Sequence, residues 1–114
     1  MTKIVYFTSL SGNNPIDRFL NSLSSKQQVK ILRIFQSIRE YGLSSVLPHI
    51  KKLTRTPLWE IRILGKDNIR VLYAVPYLNT VIVLHGFIKK TQKTPQEEIE
   101  TALKRFIEYQ RLDK

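Results

Sequence analysis

The sequence contains no cysteine, and this absence excludes several classes of protein. Disulfide-stapled scaffolds, zinc sites built on thiolates and cysteine nucleophiles all need the residue that is missing. No apolar run approaches the ~18 residues of a membrane helix. The first residues, MTKIVYFTSLSGNN, lack the apolar stretch and the small-residue cleavage site of a signal peptide. We therefore expect a cytoplasmic protein with no membrane partner.

Acidic residues are scarce, which limits the metal chemistry available to the chain. There are only nine Asp and Glu residues, and five of them lie within residues 94–114. A two-metal nuclease needs clustered carboxylates, so the sequence disfavours one. His49 and His85 are isolated, and there is no HExxH, GxSxG or glycine-rich phosphate motif. The sequence predicts neither a metal site nor a cofactor.

Basic residues dominate instead. The 114-residue chain carries 19 Lys and Arg residues and a net charge of +10. Residues 49–93 alone contribute +7, whereas residues 94–114 contribute −1. Such an excess favours a polyanionic partner, nucleic acid or a ribosome, although solubility is the simpler alternative.

Strand signals occur in four runs, residues 3–7, 58–64, 68–75 and 80–87. The last run is apolar on both faces, which is typical of a central strand. The basic stretch LPHIKKLTRTP, residues 47–57, is predicted to be irregular.

Capping signals predict three helices. Asn14 followed by Pro15 begins the first, and the SxxQ box at Ser24 begins the second, which ends at Gly42. The TPQE sequence at Thr94 is typical of a capping box at the start of the third. The predicted order is β-α-α-β-β-β-α in a single domain over residues 1–114.

Charged residues interrupt the strand-forming runs. Because side chains alternate across a strand, Glu60 and Arg62 share one face, and Arg70 stands between Ile69 and Val71 on the next strand. Arginine stays charged and presents a planar fork of donors that suits phosphate. The alternative is a surface ion pair of Glu60 with Arg62 or Arg70, which contributes little.

The segment HGFIKKTQKTP carries Lys89, Lys90 and Lys93 from a strand into the N-terminus of a helix. Helix N-termini favour anions, so this segment indicates phosphate binding, with a solvated loop as the alternative. Glu60, His85 and Tyr73 are candidate proton carriers, with packing roles as the simpler interpretation for His85 and Tyr73. The candidate contacts to RNA or the ribosome are Lys51, Lys52, Arg55, Lys66 and Lys93.

These residues suit metal-independent cleavage of RNA, in which the ribose 2′-OH attacks the adjacent phosphate. A base takes the 2′-OH proton, cations stabilise the phosphorane, and an acid protonates the departing 5′-oxygen. The products would be a 2′,3′-cyclic phosphate and a 5′-OH. The candidate catalytic residues are Glu60, Arg62, Arg70, Tyr73, His85, Lys89 and Lys90.

The strings LWEIRI, NIRVLYAV, VLHGFIKKTQKTP and EIETALKRFIEY closely resemble the RelE/HigB superfamily of type II toxins, in particular its phage-derived HigB-like branch. The resemblance is close over residues 58–109 and looser over residues 5–53. It implies a compact α+β fold with an antiparallel sheet. It also implies a ribosome-dependent endoribonuclease, or mRNA interferase, that inhibits translation.

The resemblance further implies a partner and some residue roles. The partner is a HigA-like antitoxin with a helix-turn-helix domain, encoded by a neighbouring gene. Arg70 matches the strand arginine that RelE-like toxins use at the scissile phosphate. Ile69 stands where this branch often has an aromatic residue, and Tyr109 lies too far along the last helix to match the C-terminal tyrosine of RelE. The general base and acid therefore stay open.

Two other classes of protein remain as alternatives. The predicted β-β-β-α end, with KKTQK before the helix, resembles a double-stranded RNA-binding domain, so a noncatalytic RNA-binding module is the second hypothesis. A structural protein encoded by a phage is the third, but it leaves the strand arginines unexplained.

Overall fold

The computed structural model describes residues 1–63 and 65–112. Three helices and five strands form an α+β fold, as predicted. In chain order they are β1 (Lys3–Tyr6), α1 (Pro15–Asn21), α2 (Ser25–Tyr41), a 3₁₀ segment (Leu43–His49), β2 (Ile50–Lys52), β3 (Trp59–Arg62), β4 (Ile69–Tyr77), β5 (Thr80–Ile88) and α3 (Gln96–Leu112). No helix in this described part of the chain is long and apolar enough to cross a bilayer.

The sheet has the order β1-β5-β4-β3-β2 and is mixed. The strands from β2 to β5 pair antiparallel, but β1 lies parallel to β5, with Ile4 opposite Val81. The expectation of an antiparallel sheet is therefore corrected at this edge. Helices α1 and α2 follow β1 in the chain, so the connection that leaves β1 is a helical crossover. Strand β1 then pairs with β5, which is the last strand in chain order.

Strand β2 lies inside the stretch that was expected to be irregular. It pairs with β3 through Ile50 opposite Ile61 and Lys51 opposite Glu60. A strand of three residues is too short to show an alternation of polar and apolar residues in the sequence. Its lysines lie on the edge of the sheet, where such residues prevent the addition of a further strand. Only the pairing with β3 defines it.

Helices cover both faces of the sheet, so the core has two halves. On one face α1 and α2 pack through Ile16, Ile31 and Phe35, and on the other α3 packs through Ala102 and Phe106. Gly86 allows the close approach of α1, since a Cβ there would lie 2.3 Å from the Phe19 ring. The central strand β5 is buried on both sides, as its apolar run predicted.

The helix starts follow the capping signals in two cases of three. The Asn14 side chain accepts the Asp17 N–H, and the Ser24 capping box forms. Helix α3 instead begins at Gln96, and the Pro95 carbonyl accepts the first helical hydrogen bonds. Thr94 therefore lies before the cap, and its hydroxyl donates to Glu60.

A β-bulge in β5 determines which side chains face α3. Leu72 is opposite His85, but Tyr73 is opposite Val83, so Leu84 is the additional residue. Leu84 packs in the half of the core under α3, and His85 hydrogen-bonds to α3. The bulge thus turns two successive side chains toward the same helix.

Candidate nucleic-acid interface

Glu60 is the centre of the site that β3, β4 and the start of α3 form. Its side chain is 1% exposed, and in the described part of the chain it is the only charged residue that is buried with the core. One carboxylate oxygen accepts the Thr94 hydroxyl, and the other lies 3.7 Å from Arg70 Nε. The ion pair of Glu60 with Arg70 that the sequence suggested is therefore present, but it is buried rather than superficial.

Arg62 and Arg70 lie directly opposite each other on β3 and β4. Directly opposed residues share one face of a sheet, and like charges in that arrangement repel. Arg70 Nη1 donates to the Ile69 carbonyl at 3.0 Å, while the Nε atoms of both arginines are buried without a hydrogen-bond partner. A buried donor without a partner costs about 1–3 kcal/mol, so the pair has a stability cost within the protein alone.

The loop after β5 completes the site. Lys89 N–H donates to the Asn68 carbonyl at 2.8 Å, which extends the pairing with β4 one residue past the strand. The chain then turns, and Thr91 Oγ1 donates to the Lys93 carbonyl at 2.6 Å. A depression of about 380 Å³ opens here, lined by Asn68, Arg70, Lys89, Lys90, Thr91 and Gln92. Arg70, Lys89 and Lys90, predicted separately from two parts of the sequence, thus meet in one place.

Lys51 extends the same face to the edge of the sheet, because it is exposed on β2 directly opposite Glu60. We call this face, together with the loop that follows β5, the basic surface; its basic residues are Lys51, Arg62, Arg70, Lys89, Lys90 and Lys93.

Three other predicted contact residues lie elsewhere. Lys52 points to the other face, where its Nζ donates to the Thr56 carbonyl and lies 5.5 Å from the centroid of the Trp59 ring. Arg55 is exposed in the turn between β2 and β3, and Lys66 is exposed in the turn between β3 and β4. Neither turn residue lines the depression.

His85 is held by α3 at both ring nitrogens. Its Nε2 lies 2.9 Å from Glu98 Oε1, and its Nδ1 lies 3.1 Å from Arg105 Nη1. Because a guanidinium only donates, Nδ1 accepts and Nε2 carries the proton that is donated to Glu98. Burial lowers the pKa of His85 more than Glu98 raises it. His85 is a neutral, fully engaged imidazole and does not line the depression.

Tyr73 lies on the opposite face of the sheet, packed with the core under α1 and α2. Its side chain is 1% exposed, and burial raises the pKa of its hydroxyl well above the usual value. The structure therefore brings neither Tyr73 nor His85 to the basic surface.

Sequence reasoning missed two contributors to the site, Asn68 and Thr94. Asn68 has a φ of +54°, and its carbonyl receives the Lys89 N–H, so a turn residue positions the loop. The TPQE pattern predicts a helix cap at Thr94, and nothing local in the sequence indicates its actual partner in β3. Within residues 1–63 and 65–112, no three His, Asp or Glu residues form a group that could hold a metal ion.

Residues 18–107 match the family described as Phage derived protein Gp49-like (DUF891). The solution structure of the conserved hypothetical protein HP0894 from Helicobacter pylori is similar at 18% identity and a TM-score of 0.42. That similarity covers 75% of this chain and 92% of HP0894. No curated protein matches the chain.

Proposed function

The chain belongs to the phage-derived Gp49-like family, and from that premise we propose that it is the toxin of a type II toxin–antitoxin system. In this proposal the protein cleaves mRNA on the ribosome, in the cytoplasm. The protein belongs to the HigB-like branch of the RelE/HigB superfamily. The observation that carries the proposal is that Arg70, Lys89 and Lys90 line one depression, with Arg62 directly opposite Arg70 on β3.

The two arginines supply the recognition of the scissile phosphate. Arg62 and Arg70 repel each other and carry buried donors without partners. A phosphate in the depression reduces this repulsion and offers acceptors to the Arg70 guanidinium, which lines the depression; a guanidinium can bind phosphate through two parallel hydrogen bonds. The site is thus more favourable with an anion than without one.

Glu60 acts as a positioning residue rather than as the general base. Its carboxylate is 1% exposed and is already engaged by Thr94 and Arg70, so a ribose 2′-OH does not reach it. The carboxylate instead fixes the Arg70 side chain before the substrate arrives. A cation held in advance needs little reorganisation when negative charge develops.

The reaction needs a proton to leave the 2′-oxygen and another to reach the 5′-oxygen; because the depression is open, solvent water takes the 2′-OH proton. The 2′-oxygen forms a bond to phosphorus, the bond from phosphorus to the 5′-oxygen breaks, and the 2′,3′-cyclic phosphate and 5′-OH result. Of the residues that line the depression, Lys89 and Lys90 carry ammonium groups that can protonate the leaving oxygen. Arg70 and Arg62 stabilise the phosphorane between these steps.

A toxin of this class requires a cognate antitoxin, which we expect to be HigA-like with a helix-turn-helix domain. Acidic or aromatic residues on that partner suit the basic surface by electrostatic complementarity. Such a partner neutralises the toxin by covering the basic surface or by binding α3 so that the ribosome is excluded.

The proposal is tested by inducing the protein in bacterial cells and mapping the new 5′ ends of mRNA. We expect cleavage within translated regions, at positions in register with the reading frame. Purified protein and ribosome complexes give 3′ fragments with a 5′-OH, which polynucleotide kinase labels without prior phosphatase treatment.

The matched control is Arg33→Gln, which removes an exposed arginine from α2 and should cleave as the wild type does. Fragments that bear a 5′-phosphate would refute the mechanism. RNA binding without any new 5′ end would instead support the noncatalytic RNA-binding module.

A further inference from the structure

A second pair of arginines meets where α1 and α3 flank β5. Arg18 is exposed on α1, and Arg105 is partly buried on α3. Both line two adjacent depressions of about 320 and 260 Å³. Phe19 and His85 form part of the first depression, and Lys104 forms part of the second. Neither Arg18 nor Arg105 lines the depression of the basic surface.

Arg105 is held in a fixed orientation. Its Nη1 donates to the Leu84 carbonyl at 2.9 Å and to His85 Nδ1 at 3.1 Å. Its guanidinium carbon lies 5.8 Å from the centroid of the Phe7 ring. Because all these partners belong to the sheet or directly follow β1, the guanidinium is positioned before any ligand binds.

Positive charges outnumber negative charges around Arg18 and Arg105. Burial and the neighbouring Arg18 both lower the pKa of Arg105, which means that the two like charges lie close enough to repel. Two carboxylates, Glu98 and Glu108, act in the opposite direction on the pKa of Arg105; Glu98 is hydrogen-bonded to His85, and Glu108 accepts the Leu10 N–H at 3.1 Å and lines the second depression. The first depression has both arginines but no carboxylate among its described lining residues, so it is the more favourable place for an anion. Lys104 adds a third positive charge on the same side. An anion between Arg18 and Arg105 would remove this repulsion.

We propose that the groove between Arg18 and Arg105 binds a phosphate group. Two guanidinium groups match the oxygens of a phosphate through paired, charge-assisted hydrogen bonds. Free phosphate and the backbone of RNA share this chemistry. The Phe19 ring packs over Gly86, so the Gly86 backbone lies in the lining beside the two arginines and reports on occupancy.

The experiment records amide and arginine Nε spectra of the full chain by NMR during titration. The probes are inorganic phosphate and a short single-stranded oligoribonucleotide. We expect saturable shifts of the Gly86 amide and the Arg105 Nε–H. Arg18→Gln should weaken this binding by about tenfold, the cost of one charge-assisted hydrogen bond.

Three comparisons make the result decisive. Arg33→Gln, on α2, should leave the affinity unchanged. Arg105→Gln should abolish the shifts, but because it also removes contacts to β5, Arg18→Gln is the primary variant. Tighter binding of the oligonucleotide than of phosphate identifies RNA as the source of the phosphate, and the reverse identifies the free anion.

Shifts that saturate at the wild-type concentration in Arg18→Gln, or that disappear in Arg33→Gln, overturn the proposal, as does a titration without shifts. Since the readout is binding at Gly86 and not cleavage, a negative result here leaves the ribonuclease proposal intact. A loss of mRNA cleavage in cells likewise says nothing about this groove.

Discussion

Arg70 and Lys93 carry the same charge on the same surface, but their settings differ. Arg70 stands on a central strand beside the buried Glu60, with only 14% of its side chain exposed. Lys93 is exposed in the loop before α3. A fixed cation stabilises developing charge at little reorganisation cost, whereas a mobile one mainly contributes attraction to the phosphate backbone.

We therefore predict a division of roles between these two residues. Arg70→Ala should lower the single-turnover rate of mRNA cleavage on ribosomes by about 10²–10³-fold, by analogy with the removal of one oxyanion-hole donor. Lys93→Ala should leave that rate close to the wild-type value, weaken binding and reduce its salt dependence. The measurement is single-turnover cleavage at saturating ribosomes, together with affinity at several salt concentrations.

Arg70→Lys is the control for folding, because it retains a positive charge beside Glu60 but loses the planar fork. We expect it to fold and still to cleave slowly. If Lys93→Ala abolishes cleavage while Arg70→Ala cleaves at the wild-type rate, the two roles are assigned to the wrong residues.

At the scale of the element, α3 is attached to the sheet on two sides. Thr94, just before the helix, donates to Glu60 on β3. Within the helix, Glu98 and Arg105 bind the two nitrogens of His85 on β5. The second attachment requires a neutral imidazole, because a protonated Nδ1 no longer accepts from Arg105.

This attachment predicts a pH dependence of stability. The pKa of His85 is lowered in the folded protein, so below the ordinary histidine value of about 6.5 the unfolded chain binds the proton first. The contribution of His85 to stability is complete above that pH and is lost as the pH falls through the lower, folded-state pKa. The free energy of unfolding should therefore decrease on acidification through this range.

The measurement is urea unfolding of the wild type and of His85→Gln at several pH values between about 7.5 and 5. Glutamine keeps an N–H donor for Glu98 but does not titrate. The stability difference between the two proteins should shrink as the pH falls. An identical pH dependence for both proteins would show that His85 is not the titrating group.

At the scale of the whole molecule, the basic surface is open and shallow. Its depression holds about 380 Å³ and presents few groups that position a substrate. Correct positioning of reactants can contribute ~7–11 kcal/mol to a reaction, and a site of this kind does not supply it alone. Under the proposed function, the ribosome is the partner that holds mRNA in a fixed conformation.

We accordingly predict that naked RNA is a poor substrate. Cleavage of the same mRNA should be much faster in programmed ribosomes than free in solution at equal enzyme concentration. The comparison is made at matched ionic strength, because the net charge of +10 makes all RNA binding salt-dependent. Equal rates under both conditions would contradict the ribosome requirement.

The sequence by itself determined the features that depend on neighbouring residues. The Asn14 and Ser24 caps, the apolar run of β5 and the shared face of Glu60 and Arg62 all depend on spacings of two to four residues. Steric and hydrogen-bonding preferences act over that distance in any chain. These signals were sufficient to predict the element order apart from β2.

Only the tertiary structure decided which of those groups meet and which are removed from solvent. Thr94 lies 34 residues from Glu60, and that contact moves it from a predicted cap to the site. Side-chain alternation predicts that Tyr73 and its strand neighbours lie on opposite faces of the sheet, but not which helices cover the face of Tyr73. The bulge at Leu84 turns His85 toward α3, which no local pattern predicts. Pairing, register and burial depend on contacts between distant segments, and the free energy of those contacts is not encoded in any local pattern.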